Sequence, residues 1–501
     1  MDSDCNSLLH LNNINENPSC PHGPMLLFRR IANGMERSFY ACSTCRNRKD
    51  CNFFLWADEK LSCVKAKAWE LEKERLVPKI NHEKLYKQFL LLKTLCAEER
   101  AFCNKCNCLL IKSDINEKHS GHNVKINITD HNLEHPSELL QPLVNAKKEA
   151  QYFFTSCTTS RIVGMLHSLG IRKVLCICAP RIHELIRSEK SLQMKSLLLD
   201  IDYRYHNFYN SEEFCWFNAF NNYFFSHEES LHTLRTFLEN GDERIGLVMD
   251  PPFGGRVEPL ANTVQELIKL HRELCPAVKE DLIVFWIFPY FMEPQILASC
   301  PGFTMLDYKV NYNNHISFAS GPKGRKYGSP VRIFTNARPE DIVLPEEEGY
   351  KYCSLCQRWV SEENQHCKFC SKCTSKDGQT YVHCGKCKRC VKPSWKHCNV
   401  CKRCCLPSHV CGEFIPSNIC FNCGEAGHKK QDCAKVPYRL AISVKLDGRV
   451  PHPYSKKRKI QNKTTNISKR LCDRKILSSK QKRIYKSMTV IKRKRKKSNM
   501  K

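Results

Sequence analysis

The chain has 501 residues, long enough for several domains with at least one substantial core; it has no run of about 18 uncharged apolar residues, so no membrane-spanning helix is expected. Its formal charge of +29 is concentrated: residues 434–501 hold 24 Lys or Arg against two acids (Asp447 and Asp473), a net +22 that leaves about +7 for the rest and calls for a polyanionic partner, nucleic acid first. Thirty-three cysteines behind an acidic, polar start (Met1-Asp2-Ser3-Asp4) that does not look like a secretory signal argue against a disulfide scaffold and for zinc.

The first ordered block runs from Cys20-Pro21-His22-Gly23 through Arg37-Ser38-Phe39-Tyr40-Ala41-Cys42 to Cys51-Asn52-Phe53-Phe54-Leu55-Trp56. Cys20, His22, Cys42 and Cys51 make a closed tetrahedral set, with Cys45 a spare that competes with Cys42. The interleaved aromatics suit either a miniature core or stacking on exposed bases. This block, residues 15–60, resembles the GRF-type zinc finger, and the resemblance favours Cys42 and implies nucleic-acid contact.

Residues 61–95 read as a helical spacer, broken near Pro78, in which Asn81 caps a helix with Leu85, Phe89 and Leu92 on one face. Within 96–130, Cys103 and Cys106 followed by His119 and His122 form a compact zinc set, with Cys108 a nearby alternative. The close His–His spacing gives no reason to expect major-groove reading.

From 131 to 345 cysteines thin out and apolar runs alternate with helical stretches, which implies an α/β domain with a doubly wound sheet. A helix is expected from Thr159 to Leu169. Strands are expected at Arg172–Pro180, Ser196–Asp202, Ile245–Met249 and Asp281–Phe288, with a late edge strand at Ser329–Thr335. The first strand-to-helix turn, Cys178-Ala179-Pro180-Arg181, lacks Gly-x-Gly-x-x-Gly, which disfavours a dinucleotide enzyme. Asp200 or Asp202 nevertheless stands where a ribose-gripping acid belongs, although either also reads as a solvated strand end.

The third of these strands ends in Asp250-Pro251-Pro252-Phe253, followed by Gly254-Gly255. An acid fixed by two prolines offers a carboxylate and rigid carbonyls as acceptors beside a ring, an arrangement suited to a planar group bearing an NH2. An ordinary strand-to-turn junction is the plain alternative. An (Asp/Asn)-Pro-Pro-aromatic turn in such a sheet is similar to that of the amino-methyltransferases that use S-adenosylmethionine. In that resemblance Gln151, Tyr152 and Phe153 flank the cofactor. Cys178, Ala179, Pro180, Arg181, Asp200, Asp202, Asn218 and Asp250 fall on the rest of its site. Asp250, Pro251, Pro252 and Phe253 then hold and stack an extruded base, with Phe288 or Tyr290 as the other wall.

Residues 346–412 repeat a pattern. His366-Cys367-x2-Cys370-x2-Cys373 recurs as His383-Cys384-x2-Cys387-x2-Cys390 and as His397-Cys398-x2-Cys401-x2-Cys404, after a leading Cys353-x2-Cys356. Adjacent His and Cys do not comfortably share one ion, so four interleaved sites are expected. They are Cys353, Cys356, His366 and Cys373; then Cys367, Cys370, His383 and Cys390; then Cys384, Cys387, His397 and Cys404. The fourth is Cys398, Cys401, His409 and Cys411, with Cys405 left over. The array looks like the Asp-His-His-Cys cysteine-rich fold of palmitoyl transferases but lacks the tetrad, so it reads as a brace and not as an acyl-transfer site. Cys420, Cys423, His428 and Cys433 (within 415–436) have the spacing of a zinc knuckle, a grip for single-stranded RNA. That brings the expected zinc to about seven ions. The basic tail, 437–501, reads as disordered, and serves phosphate binding or nuclear import.

With the flanking fingers, residues 15–436 closely resemble the CCHC-zinc-knuckle ribosomal RNA N6-adenosine methyltransferases. The resemblance implies a Rossmann-like sheet flanked by zinc modules. It also implies methyl transfer from S-adenosylmethionine to an adenosine of large-subunit ribosomal RNA, ribosome-assembly factors as partners, and a place in the nucleus and nucleolus, with the cytoplasm a further compartment. The alternatives are a protein or DNA amino-methyltransferase and a non-catalytic RNA-binding scaffold.

Overall fold

Alternating burial decides the centre of the molecule. In the strand Lys173–Ile177 (β1) every residue is buried, but Val174 and Cys176 enter one apolar core while Leu175 and Ile177 enter another. Both faces of the strand are therefore covered, as a parallel strand requires. The computed structural model describes residues 7–411 apart from 33–34, 46–47, 116, 144–150, 240–242, 279–280, 316–317 and 319–326. The knuckle at Cys420 to Cys433 and the basic tail lie outside the described residues.

Around β1 the chain builds a mixed eight-stranded sheet. Its further strands are Lys195–Asp200 (β2), Phe214–Asn218 (β3), Tyr223–Phe224 (β4), Ile245–Met249 (β5), Ile283–Pro289 (β6), Thr304–Met305 (β7) and Val331–Thr335 (β8). The order is β4-β3-β2-β1-β5-β6-β8-β7. Strands β3, β2, β1, β5 and β6 run parallel; β4, at one margin, and β8 are antiparallel to their neighbours. Helices cover both faces. Residues of Ser156–Ser168 and Pro180–Ser188 pack in one core, and residues of His227–Glu239, Val257–Leu274 and Glu293–Ser299 in the other. Among the described residues, no helix is long and apolar enough to cross a membrane.

Two expectations change, and one strand is unforeseen. Ser329–Thr335 was expected at the edge, yet β8 is interior, because Thr304–Met305 pairs along its outer side. Strand β3 (FCWFN) is buried at every position, so it shows no alternation to read. The second expected strand stops at Asp200: Asp202 instead caps the short helix Tyr203–Asn207, its side chain accepting from Arg204 N at 3.1 Å.

The zinc modules attach through both polar and apolar contacts. The strands Ser7–His10, Leu26–Ala32, Met35–Ala41 and Phe54–Trp56 form the finger sheet at the N-terminal side. The spacer is two helices, Cys63–Leu76 and His82–Thr94, the second capped as expected by Asn81 Oδ1 accepting from Lys84 N at 2.9 Å. Phe89 and Leu92 of the second helix join the main core, together with Phe102 and Leu109 of the module that follows.

Candidate active site

The strand order reverses beside β1, which has β2 on one side and β5 on the other. Ligands of open α/β sheets bind outside the carboxyl ends of the strands at such a switch point. Asp250 stands there. Its N–H donates to Ile177 O at 3.0 Å, one step past the end of β5, and Gly255 N closes the proline turn on Pro252 O at 2.9 Å. A Cβ at Gly255 would lie 2.3 Å from the Phe220 ring, so this close approach requires glycine.

The Asp250 side chain is buried and accepts from Tyr312 Oη at 2.7 Å. Burial holds its carboxyl well above the usual carboxylate range, opposed by the Tyr312 bond. Burial and the charge of Asp250 likewise push the Tyr312 hydroxyl up. Tyr312 is held in turn by the aromatic segment: Phe154 bridges it antiparallel, and Asn313 N donates to Phe153 O at 2.8 Å. Phe253 sits among rings, its centroid 5.8 Å from Tyr152, 5.5 Å from Phe288, 5.9 Å from Tyr312 and 5.1 Å from Phe318. Tyr290, expected as a possible wall beside Phe288, has other neighbours: its ring lies 5.7 Å from Phe291 and 5.9 Å from the Arg332 guanidinium.

A cavity opens beside Asp250, Pro251 and Pro252. Gln151, Tyr152, Phe153, Cys178, Pro180, Asp200 and Asn218 line it. Cys178 has φ +52°, the left-handed conformation that glycine usually supplies, and Pro180 opens the helix Pro180–Ser188 behind it. The loop thus makes the tight turn without its glycines.

Three expected contacts do not line the cavity. Ala179 is buried in the core. Arg181 lies 3.4 Å from Glu138 and 5.7 Å from the Phe153 ring. Asp202 is taken by Arg204, which grips it at 2.8 and 2.6 Å, and by Gln151 Nε2 at 2.8 Å. Of the two acids, Asp200 faces the cavity, and burial followed by the charge of Asp202 raises its pKa to about 7. Asn218 lines the cavity, but its amide hydrogens go to the N-terminal finger, reaching His22 O at 2.8 Å.

Cys20, His22, Cys42 and Cys51 converge with all ligand atoms within 4.8 Å of one another; so do Cys103, Cys106, His119 and His122, and the first three expected sites of the array. Zinc with bonds of about 2.3 Å to sulfur and 2.0–2.1 Å to nitrogen implies tetrahedral S···N edges of about 3.6 Å and S···S edges of about 3.8 Å. The separations match: 3.4 Å for Cys42–His22, 3.7 Å for Cys106–His119, and 3.8 Å for Cys370–Cys390. At the fourth array site Cys411 lies 3.5 Å from Cys398 and 3.3 Å from His409 Nε2. The donor sets fit zinc. Hairpin pairing places each His opposite its closing Cys, as in His383 and Cys390, which accounts for their shared spacing.

A family of probable N6-adenine methyltransferases matches residues 145–327, the GRF zinc finger residues 18–60 and the zinc knuckle residues 418–435. The chain is 48% identical over 428 residues to the rRNA N(6)-adenosine-methyltransferase ZCCHC4 of Homo sapiens, covering 84% of this chain and 83% of that protein. It is 50% identical over 428 residues to the Mus musculus protein of that name, with the same shares covered. To the Xenopus tropicalis protein it is 49% identical over 423 residues, 83% of this chain and 86% of the other. The chain belongs to this rRNA N6-adenosine methyltransferase family.

Within a member of that methyltransferase family, two site residues carry no sequence signal. Tyr312 lies 62 residues from its partner Asp250, in a stretch without a motif. Thr44, a lining residue of the cavity, belongs to a zinc loop.

Proposed function

We infer that this chain is an enzyme that transfers a methyl group from S-adenosylmethionine to the exocyclic N6 amine of an adenosine in ribosomal RNA. The observation that carries this reading is the buried Asp250 carboxylate, oriented by Tyr312 and flanked by Phe253, beside a cavity at the switch point of the sheet. The cofactor, when bound, supplies an electrophilic methyl on a sulfonium. Asp250 and the Pro251 carbonyl accept the two amine hydrogens, which turns the nitrogen lone pair out of the ring plane. Phe253, half-buried, offers the ring against which the extruded base stacks; Phe288, expected as the other wall, is fully buried and meets Phe253 edge-on, so it backs that ring instead. Positioning and electrostatic orientation supply the acceleration; the charged product amine readily loses its proton, so no strong base is required.

The finer reading has a doubly wound, Rossmann-like sheet, about seven zinc ions, large-subunit RNA as substrate, ribosome-assembly factors as partners and nucleolar residence. The family membership and the knuckle spacing support it. The test uses purified protein, tritiated cofactor and total RNA, protein or DNA from cells lacking the enzyme. Label is expected in RNA with wild type and at least 100-fold less with Asp250→Ala, as removal of an oriented charged acceptor implies. Label only in protein or DNA would assign a different amine as substrate, and no label anywhere would leave a binding scaffold.

A further inference from the structure

The sheet does not close the cavity by itself. Thr44 is buried, lines the cavity and stands in the loop Cys42-Ser43-Thr44-Cys45, next to zinc ligands. The end of β3 grips this finger. Asn218 Nδ2 lies within donating distance of His22 O at 2.8 Å, Ser43 Oγ at 3.0 Å and Thr44 Oγ1 at 3.1 Å. Its Oδ1 accepts from Phe220 N at 3.0 Å, so the amide orientation is fixed. Asn221 Nδ2 adds bonds to His22 O at 3.1 Å and Pro24 O at 2.8 Å. Between them Gly23, at φ +90°, packs so closely on Tyr223 that a Cβ would come within 2.4 Å of the ring.

We propose that the N-terminal zinc finger is the outer wall of the cofactor cavity, with Thr44 a cofactor-contacting residue at its adenosine end, so that zinc in this finger sets cofactor affinity. The inference rests on the reading that the cavity holds S-adenosylmethionine. Asp250, Cys178, Asp200 and Asn218 stand at the ends of β5, β1, β2 and β3, successive strands of the sheet. Three strand spacings separate the first from the last, about 14 Å. Amine chemistry occupies the Asp250 end, and the acid after the second strand takes the ribose. The adenosine base then falls beside Asn218 and Thr44.

Zinc matters because the finger has little other core. Its buried cluster is Cys20, Met25, Cys42, Cys45, Cys51 and Phe53, and three of these six are ligands. Without the ion, the loops bearing His22 and Thr44 keep only the Asn218 and Asn221 hydrogen bonds to hold them together.

The test measures S-adenosylhomocysteine binding by calorimetry, and zinc content, on the full-length protein. Thr44→Ala is expected to weaken binding about three- to tenfold with zinc content unchanged. Cys51→Ser should lose one zinc per chain and at least tenfold in affinity, whereas Cys398→Ser, at the far end of the array, should lose one zinc and less than twofold. If Cys51→Ser does not fold, Thr44→Arg decides, since bulk at the wall must abolish binding. Wild-type affinity in the Thr44 variants, or equal losses in both cysteine variants, overturns the wall. Wild-type protein that fails to bind the ligand overturns the reading of the cavity instead.

Discussion

At the scale of single residues, the Asp250–Tyr312 pair organises the site. A carboxyl whose pKa burial has raised accepts amine hydrogens best when ionised, and the Tyr312 hydroxyl favours that form. Tyr312→Phe removes one hydrogen bond to a charged group, worth about 1.5–3 kcal/mol, so kcat should fall about 10- to 150-fold. The acid limb of the pH–rate profile should move to higher pH, because the ionised form loses its donor. A lower rate with an unmoved profile would mean that Tyr312 only packs. Asp200 carries a second pH effect. Its pKa is raised to about 7, so if the proposed ribose contact holds, the accepting carboxylate is increasingly protonated below that pH. Affinity for S-adenosylhomocysteine should therefore rise with pH through about 7, by up to tenfold per unit on the acid side, and Asp200→Asn should flatten the slope. A slope that survives Asp200→Asn would assign the titration elsewhere. Asp250 was legible because two prolines and an aromatic fix its chemistry locally. The choice between Asp200 and Asp202 was not, because Arg204 and Gln151 make it through side-chain geometry.

Among the elements, the zinc hairpins show how far spacing reaches. In the middle finger and the four array sites, the Cys-x2-Cys pair that opens each site is followed by a residue at positive φ: Asn107, Gln357, Ser371, Lys388 and Lys402. None is glycine, so each turn holds a conformation that L-residues adopt at some cost. In these sites the two cysteine sulfurs converge with further ligand atoms, which is why ligand spacing alone revealed these elements. How the array docks could not be read from spacing. Asp307, just past β7 and buried, accepts from Arg358 Nη2 at 3.0 Å, Ser361 N at 3.0 Å and Asn364 Nδ2 at 2.7 Å. These donors lie 51 to 57 residues downstream, in and beside the first array hairpin. Asp307→Ala leaves three donors without their acceptor and should cost about 2–4 kcal/mol in urea unfolding, more than Asp307→Asn, which keeps an acceptor oxygen. Equal losses for the two variants would reduce the contact to simple packing. Strand β3 stayed hidden for the opposite reason: full burial erases alternation, and its partners are set by the fold of distant segments.

For the whole molecule, the question is whether the zinc modules are appendages or parts of one folding unit. One apolar cluster runs from Phe89 and Leu92 through Phe102, Leu109, Ile128 and Leu133 to Val174 and Leu198 of the sheet. Arg100, buried beside the zinc ligand Cys103, donates to Leu92 O at 2.8 Å and Leu95 O at 2.6 Å, covering the last carbonyls of the helix His82–Thr94. Its Nη1 also pairs with Asp130 at 2.7 Å. Removing zinc at Cys103 therefore loosens a strand that both caps a helix and fills the sheet's core. Residues through Cys411 cluster as one compact unit, and the knuckle at Cys420 lies outside the described residues. The two cysteines should consequently behave differently on substitution. Cys103→Ser is expected to lower the melting temperature of the catalytic domain by about 5–10 °C in a single transition, since about 3 kcal/mol or more of metal-linked stability is lost. Cys420→Ser should leave that transition and S-adenosylhomocysteine affinity unchanged while methylation of RNA falls. Two separate transitions in Cys103→Ser, with the main one unmoved, would show that the middle finger folds alone. Loss of cofactor affinity in Cys420→Ser would join the knuckle to the unit that ends at Cys411.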